Sequence, residues 1–199
     1  MTTDSEFGKC IKVLEGHKSS ITSVAFSSGG KTLATGSTGN TIKIWDIQTG
    51  QCIKTLEGHT NTVRAVIFSS DGQTLATCSN DKTAKLWNVH TRQCIQTLQG
   101  HTDWVRSISF SSDGKTLATG SDDSTSKLWD IQTGQCIKTL EHHGRWFRSV
   151  TFSPDGKTLA TGSDDNTIKI SDTRTGTERQ KMELQAQSGV LHRHLGFCI

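Results

Sequence analysis

Between Cys10 and Gly176 the chain alternates apolar and polar residues in short runs, each closed by glycine, serine, asparagine or aspartate. Residues 52–56 (CIKTL), 63–68 (VRAVIF), 73–79 (QTLATCS) and 83–88 (TAKLWN) show the pattern. A side-chain period of two predicts strands half-buried on one face. No apolar stripe at helical spacing occurs before residue 178. Asp71-Gly72, Asp113-Gly114 and Asp155-Gly156 predict tight type I′ hairpins, whose two central residues both need positive φ, and Gly29-Gly30 stands in the same place. Thr49-Gly50, Thr133-Gly134 and Thr175-Gly176 mark further turns. The one proline, Pro154, falls in a turn, where its fixed φ does no harm.

The pattern is periodic on a longer scale. Segments 10–51, 52–93, 94–135 and 136–177 are equal in length and align without a gap, and the last two are identical at more than half of their positions. Each unit predicts four short strands, which makes the protein all-β. A four-stranded sheet cannot cover both of its apolar faces alone, whereas sheets stacked around an axis cover each other. The predicted architecture is a β-propeller of four blades, each of four antiparallel strands, preceded by a leader (1–9) and followed by a non-repeating tail (178–199). Four blades make either an incomplete ring or half of a larger one.

Gly16-His17, Gly58-His59 and Gly100-His101 are followed, at the same spacing in each repeat, by Trp45-Asp46, Trp87-Asn88 and Trp129-Asp130. Over residues 10–177 the chain resembles the WD-repeat family. That resemblance implies a hydrogen-bonded set of histidine, threonine, aspartate and tryptophan within each blade. Repeat two supplies His59, Thr77, Asp81 and Trp87, and repeat three His101, Thr119, Asp123 and Trp129. A buried imidazole needs a partner on each nitrogen, and a carboxylate on one of them fixes its tautomer. The outer repeats depart from the pattern. Gly39 stands where repeat one should have its aspartate. Repeat four keeps His143, Thr161 and Asp165 but has His142 for glycine and Ser171 for tryptophan.

A histidine, a hydroxyl and an aspartate also suggest a hydrolase triad, but a triad occurs once, and this set recurs from unit to unit without a G-x-S-x-G turn. No catalytic residue, metal site or cofactor is assigned, and no small-molecule substrate is expected. The net charge of +3 is spread along the chain and gives no basic stripe for nucleic acid. No stretch reaches the roughly 18 apolar residues of a membrane helix, and the N-terminus lacks the apolar run of a signal peptide. Cys10, Cys52, Cys94 and Cys136 occupy the same place in successive repeats. Equivalent outer positions on neighbouring units lie beyond the roughly 7 Å a disulfide spans, so half-buried free thiols in the cytoplasm are expected. In the tail, residues 178–187 suggest a short helix and 190–199 a strand or loose end. His192, His194 and Cys198 fall short of the four ligands of a structural zinc.

The resemblance implies a scaffold that binds proteins or peptides. Positions just after each histidine vary while the framework repeats: Trp104, Trp146, Arg64, Arg106 and Arg148. Tryptophan and arginine are the types enriched in binding hot spots, so these five are the candidate partner-binding residues. The competing reading is a truncated or vestigial propeller with a purely structural role. Residues 10–14 (CIKVL) precede the first Gly-His unit and suit the outer strand of a blade begun elsewhere. They could close the ring onto repeat four, or complete that blade in a second copy to give a homodimer of eight blades.

Overall fold

A computed structural model describes residues 10–141 and 143–183. Those residues form four antiparallel sheets and no helix. Blade one comprises β1 (Ile21–Phe26), β2 (Thr32–Ser37), β3 (Ile42–Asp46) and β4 (Cys52–Leu56). Blade two follows as β5 (Val63–Phe68), β6 (Thr74–Ser79), β7 (Ala84–Asn88) and β8 (Cys94–Leu98). Blade three is β9 (Val105–Phe110), β10 (Thr116–Ser121), β11 (Thr125–Asp130) and β12 (Cys136–Glu141). Blade four is β13 (Phe147–Phe152), β14 (Thr158–Ser163), β15 (Thr167–Asp172) and β16 (Glu178–Glu183). Strands pair in chain order within every sheet. The first strands β1, β5, β9 and β13 pack on one another in succession, so they are the innermost. Blades are offset from the sequence repeat: the strand that opens repeat two, Cys52–Leu56, is the outer strand of blade one. Each covalent repeat therefore straddles two blades and ties them together.

The apolar core lies between blades. Ala34, Ile42, Ile44 and Leu56 of blade one meet Val63, Val66, Leu75 and Trp87 of blade two. Blades two and three repeat the junction with Leu86 and Leu98 against Val105, Ile108 and Trp129. Blades three and four join through Leu128 and Leu140 against Val150 and Leu159, with Ser171 where the tryptophan would stand. A small residue on each second strand admits the next blade's inner strand. A Cβ on Gly36 would lie 2.8 Å from Val63 Cγ1, and one on Gly120 would lie 3.0 Å from Phe147 Cδ1.

The arc is open. Ile21, Val24 and Phe26 of β1 are 52%, 61% and 62% exposed, whereas Val63 and Val66 at the equivalent places in blade two are buried. Four blades do not bend into a full circle. The tail also differs from expectation. Residues 178–183 form β16 rather than the start of a helix, and β16 takes the outer place on β15. Blade four is thus completed within its own chain, without the N-terminal strand. Residues 184–199, with His192, His194 and Cys198, lie outside the described residues.

The hairpin turns are of another type than predicted. At Ser69–Gly72 the glycine alone has positive φ (68°), and its N–H donates to Ser69 O at 2.8 Å. Asp71 instead accepts from the Ser69 hydroxyl (2.5 Å) and the Gln73 N–H (2.9 Å). The repeated cysteines Cys10, Cys52, Cys94 and Cys136 are exposed rather than half-buried, while Cys78 is buried, which pushes its thiol up to about 12.

The glycine of each Gly-His pair is required twice over. Gly100 has φ 149°, and a Cβ there would lie 3.3 Å from Cη2 of the Trp129 ring. The tryptophan ring lies against this glycine so closely that a Cβ would push it back by a few tenths of an ångström. Repeat four lacks both partners, glycine and tryptophan. Gly100→Ala should cost about 1–3 kcal/mol, the range for a strained backbone residue, read as a lower urea midpoint. An unchanged midpoint would show that Trp129 does not seat on this glycine.

Histidine networks and a candidate partner-binding face

Each of the two central blades is closed by side chains from four places along the chain. His59 lies in the loop before β5, Thr77 on β6, Asp81 in the turn after it and Trp87 on β7. Trp87 Nε1–H donates to Thr77 Oγ1 at 2.9 Å, Thr77 Oγ1 lies 2.8 Å from His59 Nε2, and His59 Nδ1 lies 2.6 Å from Asp81 Oδ2. Blade three repeats the set: Trp129 to Thr119 at 2.8 Å, Thr119 to His101 at 2.6 Å, and His101 to Asp123 at 2.7 Å. An ionised carboxylate only accepts, so the ring proton sits on Nδ1. Nε2 then accepts the threonine proton. Burial pushes the carboxyls of Asp81 and Asp123 up, but hydrogen bonds from the histidine, the following threonine and a backbone N–H prevail and hold both below the ordinary range. These threonines are fully buried, and their hydroxyls are engaged by tryptophan and histidine. The geometry is that of a brace rather than of a nucleophile.

The outer blades have incomplete sets. In blade one Trp45 and His17 both reach Thr35, at 2.8 and 2.7 Å. With Gly39 in the aspartate's place, His17 Nδ1 is buried without a partner among the described residues. Burial, and then the charge of Lys43, lower the pKa of His17. In blade four His143 contacts Asp165 at 2.9 Å and Thr161 at 3.0 Å, and Phe147 meets the imidazole edge-on at 4.9 Å. Asp165 is held at about 2, burial opposing and bonds from Thr167 and His143 prevailing.

The five variable residues lie at the starts of the inner strands of blades two, three and four. Trp104 lies beneath two guanidinium groups, with Arg64 Cζ 5.5 Å and Arg106 Cζ 4.8 Å from its ring centroid. The stack bridges blades two and three. Arg64 Nε donates to Asn80 Oδ1 at 2.7 Å, and Arg106 grips Asp122 through Nε (2.9 Å) and Nη2 (2.6 Å). Arg148 makes the same fork with Asp164, whose carboxyl is lowered chiefly by that bond. Asn80, Asp122 and Asp164 escaped the sequence reading. Their signal was a column just before each network aspartate that supplies a partner for the arginine one hairpin earlier. Trp104 is 38% exposed and Trp146 is 52% exposed. Trp146 borders a cleft of about 320 Å³ with Asp122, Ser124, Gly144, Arg145 and Asp164. The face thus joins a half-exposed aromatic to ion pairs held in fixed geometry.

The family model described as IFT122 first beta-propeller matches residues 38–192, and that of the WD domain, G-beta repeat, matches residues 8–46. The chain belongs to the WD-repeat β-propeller family. Vegetative incompatibility protein HET-E-1 of Podospora anserina is 54% identical over 43 residues, which are 22% of this chain and 3% of the length of HET-E-1. WD-repeat propellers act in general as non-catalytic platforms for protein interaction. Among the described residues no helix is long and apolar enough to cross a membrane, and no cluster of His, Cys, Asp or Glu could hold a metal.

Two changes test the WD-repeat networks from opposite sides. Gly39→Asp supplies the missing acceptor for His17, and its Cβ would meet Ser19 Oγ at 3.0 Å, an exposed side chain free to give way. The gain should be about 1 kcal/mol, and Asp123→Ala should cost about 1–3 kcal/mol, as for a buried group left unpaired. Because the folded-state pKa of Asp123 is depressed, its contribution is present above the unfolded value of about 4 and is lost as pH falls through the folded value. The cost of Asp123→Ala should therefore be full near about pH 6 and shrink below about pH 4. Urea midpoints across pH decide this; a cost that is absent, or that grows in acid, would contradict it.

Proposed function

We propose that this chain is a non-catalytic scaffold that binds partner proteins or peptides on the face formed by Arg64, Trp104, Arg106, Trp146 and Arg148. The observation that carries the reading is Trp146, which stays half in water beside a cleft while the tryptophans of the blades are buried. A large rigid ring next to fixed charged groups offers a partner apolar area at little entropic cost. Arg106 and Arg148 are already ion-paired, so binding need not bury an unmatched charge. Free cysteines, four of them exposed, fit the reducing cytoplasm.

A purely structural role is the second reading, favoured by the missing Trp in blade four and the missing Asp in blade one. Capture on the immobilised chain, followed by titration of the identified partner, separates the two. Trp146→Ala should weaken binding about 30-fold, or about 2 kcal/mol, with the melting temperature unchanged. Trp104→Ala should weaken it too and also lower the melting temperature, because the Arg64–Trp104–Arg106 stack is lost. Unchanged affinity with both tryptophans removed would place the binding face elsewhere, and a chain that retains no partner would favour the structural role.

A further inference from the structure

The two ends of the arc carry the two halves of one junction. Inside the arc, the first residue of each inner strand, Val63, Val105 or Phe147, is buried against the preceding blade, beside Gly36, Cys78 or Gly120. Ile21 is the same position in blade one and is 52% exposed. Gly162 is the same position in blade four as Gly36, and a Cβ there would meet nothing within 4 Å. The knob at one end lacks a seat, and the seat at the other lacks a knob. Val24 and Phe26 extend the open face at 61% and 62% exposure, where Val150 at the equivalent of Val24 is buried.

Polar groups follow the same rule. Val66 N–H donates to Ser23 Oγ of the preceding blade at 3.1 Å, and Val150 N–H donates to Ser107 Oγ at 3.1 Å. The corresponding pair at the ends of the arc is the Val24 N–H and Ser149 Oγ. One sequence thus repeats donor, acceptor, knob and seat at both open faces, with the fit already realised between its own blades.

We propose that the open faces are covered by a second copy of this chain, blade one of each seated on blade four of the other in a two-fold ring of eight blades. A head-to-tail junction of this kind closes into a ring when its rotation permits. The N-terminal segment is placed for it. Lys12 Nζ donates to the carbonyls of Ile47 (2.9 Å) and Gln48 (2.7 Å), as Lys138, at the equivalent place in the outer strand of blade three, does to those of Thr173 and Arg174 of blade four. Residues 10–14 therefore already lie where the outer strand of a preceding blade belongs, with Ile11 95% exposed. In the ring this segment takes the outer place on the second copy's β15, and β16 gives way. The exchange replaces the polar ERQKM run of residues 178–182 by CIKVL, the apolar pattern that the other three outer strands share. The assembly does not depend on whether the Trp146 face binds a partner.

Light scattering on the full chain over a wide concentration range reads the result. The ring gives about 43 kDa, twice 21.7 kDa. Two substitutions test the junction without disturbing the single copy, since Ile21 is half exposed and Gly162 has open space around its Cβ. Ile21→Asp removes the knob and Gly162→Ile fills the seat; each should raise the dissociation constant at least about 10-fold, with circular dichroism unchanged. A mass of 21.7 kDa at every concentration would overturn the proposal. Assemblies larger than two copies, or a dimer indifferent to both substitutions, would overturn it as well.

Discussion

One hydroxyl at the centre of each blade holds the architecture together. Thr77 Oγ1 accepts the Trp87 indole N–H and gives its own proton to His59, whose other nitrogen is fixed by Asp81. Four groups that would each be costly to bury alone are satisfied by one another. The chain of bonds runs from the third strand through the second to the loop that leads in from the preceding blade. It therefore positions the start of every inner strand, where the arginine and tryptophan residues of the exposed face begin. The same tryptophan lies on the glycine before the histidine and buries its ring in the junction with the preceding blade. Blade closure and blade stacking are thus one interaction seen from two sides.

Where the set is incomplete the consequences stay local. Blade one keeps its tryptophan and loses only the acceptor for His17, so its packing survives with one nitrogen unpartnered among the described residues. Blade four keeps the carboxylate and loses the ring, so its network survives and its junction is the poorer one. The central blades carry the full set and bear the Arg64–Trp104–Arg106 stack that joins them. The braced central blades support Arg64, Trp104 and Arg106 of the proposed binding face, whereas Trp146 and Arg148 open blade four, at one of the two weaker ends.

Periodicity made most of this readable in advance. A gapless repeat of constant length gives four equivalent sheets, and the resemblance to the WD-repeat family implies the His, Thr, Asp and Trp groups that meet in full in the two central blades. What escaped were features set by backbone geometry or by one-sided context. Asp-Gly suits a type I′ turn, yet Asp71 is drawn instead to the Ser69 hydroxyl and the Gln73 amide, which leaves positive φ to the glycine alone. Residues 178–183 carry little apolar alternation. They form a strand because β15 offers an unpaired edge, and edge pairing needs backbone groups rather than particular side chains. The arginines were noticed as contact residues, but their carboxylate partners lie one hairpin further along the chain and meet them only through the β9–β10 and β13–β14 pairings.

Exchange of the five indole N–H protons, followed by nuclear magnetic resonance, tests the central brace most directly. Trp45, Trp87 and Trp129 donate to buried threonines, whereas Trp104 and Trp146 are partly exposed. The account predicts slow exchange for the first three, with Trp87 and Trp129 in complete networks the slowest, and fast exchange for Trp146. Rapid exchange at Trp87 and Trp129 in a folded chain would contradict it, because the hydroxyl on which the blade depends would not then be holding the ring.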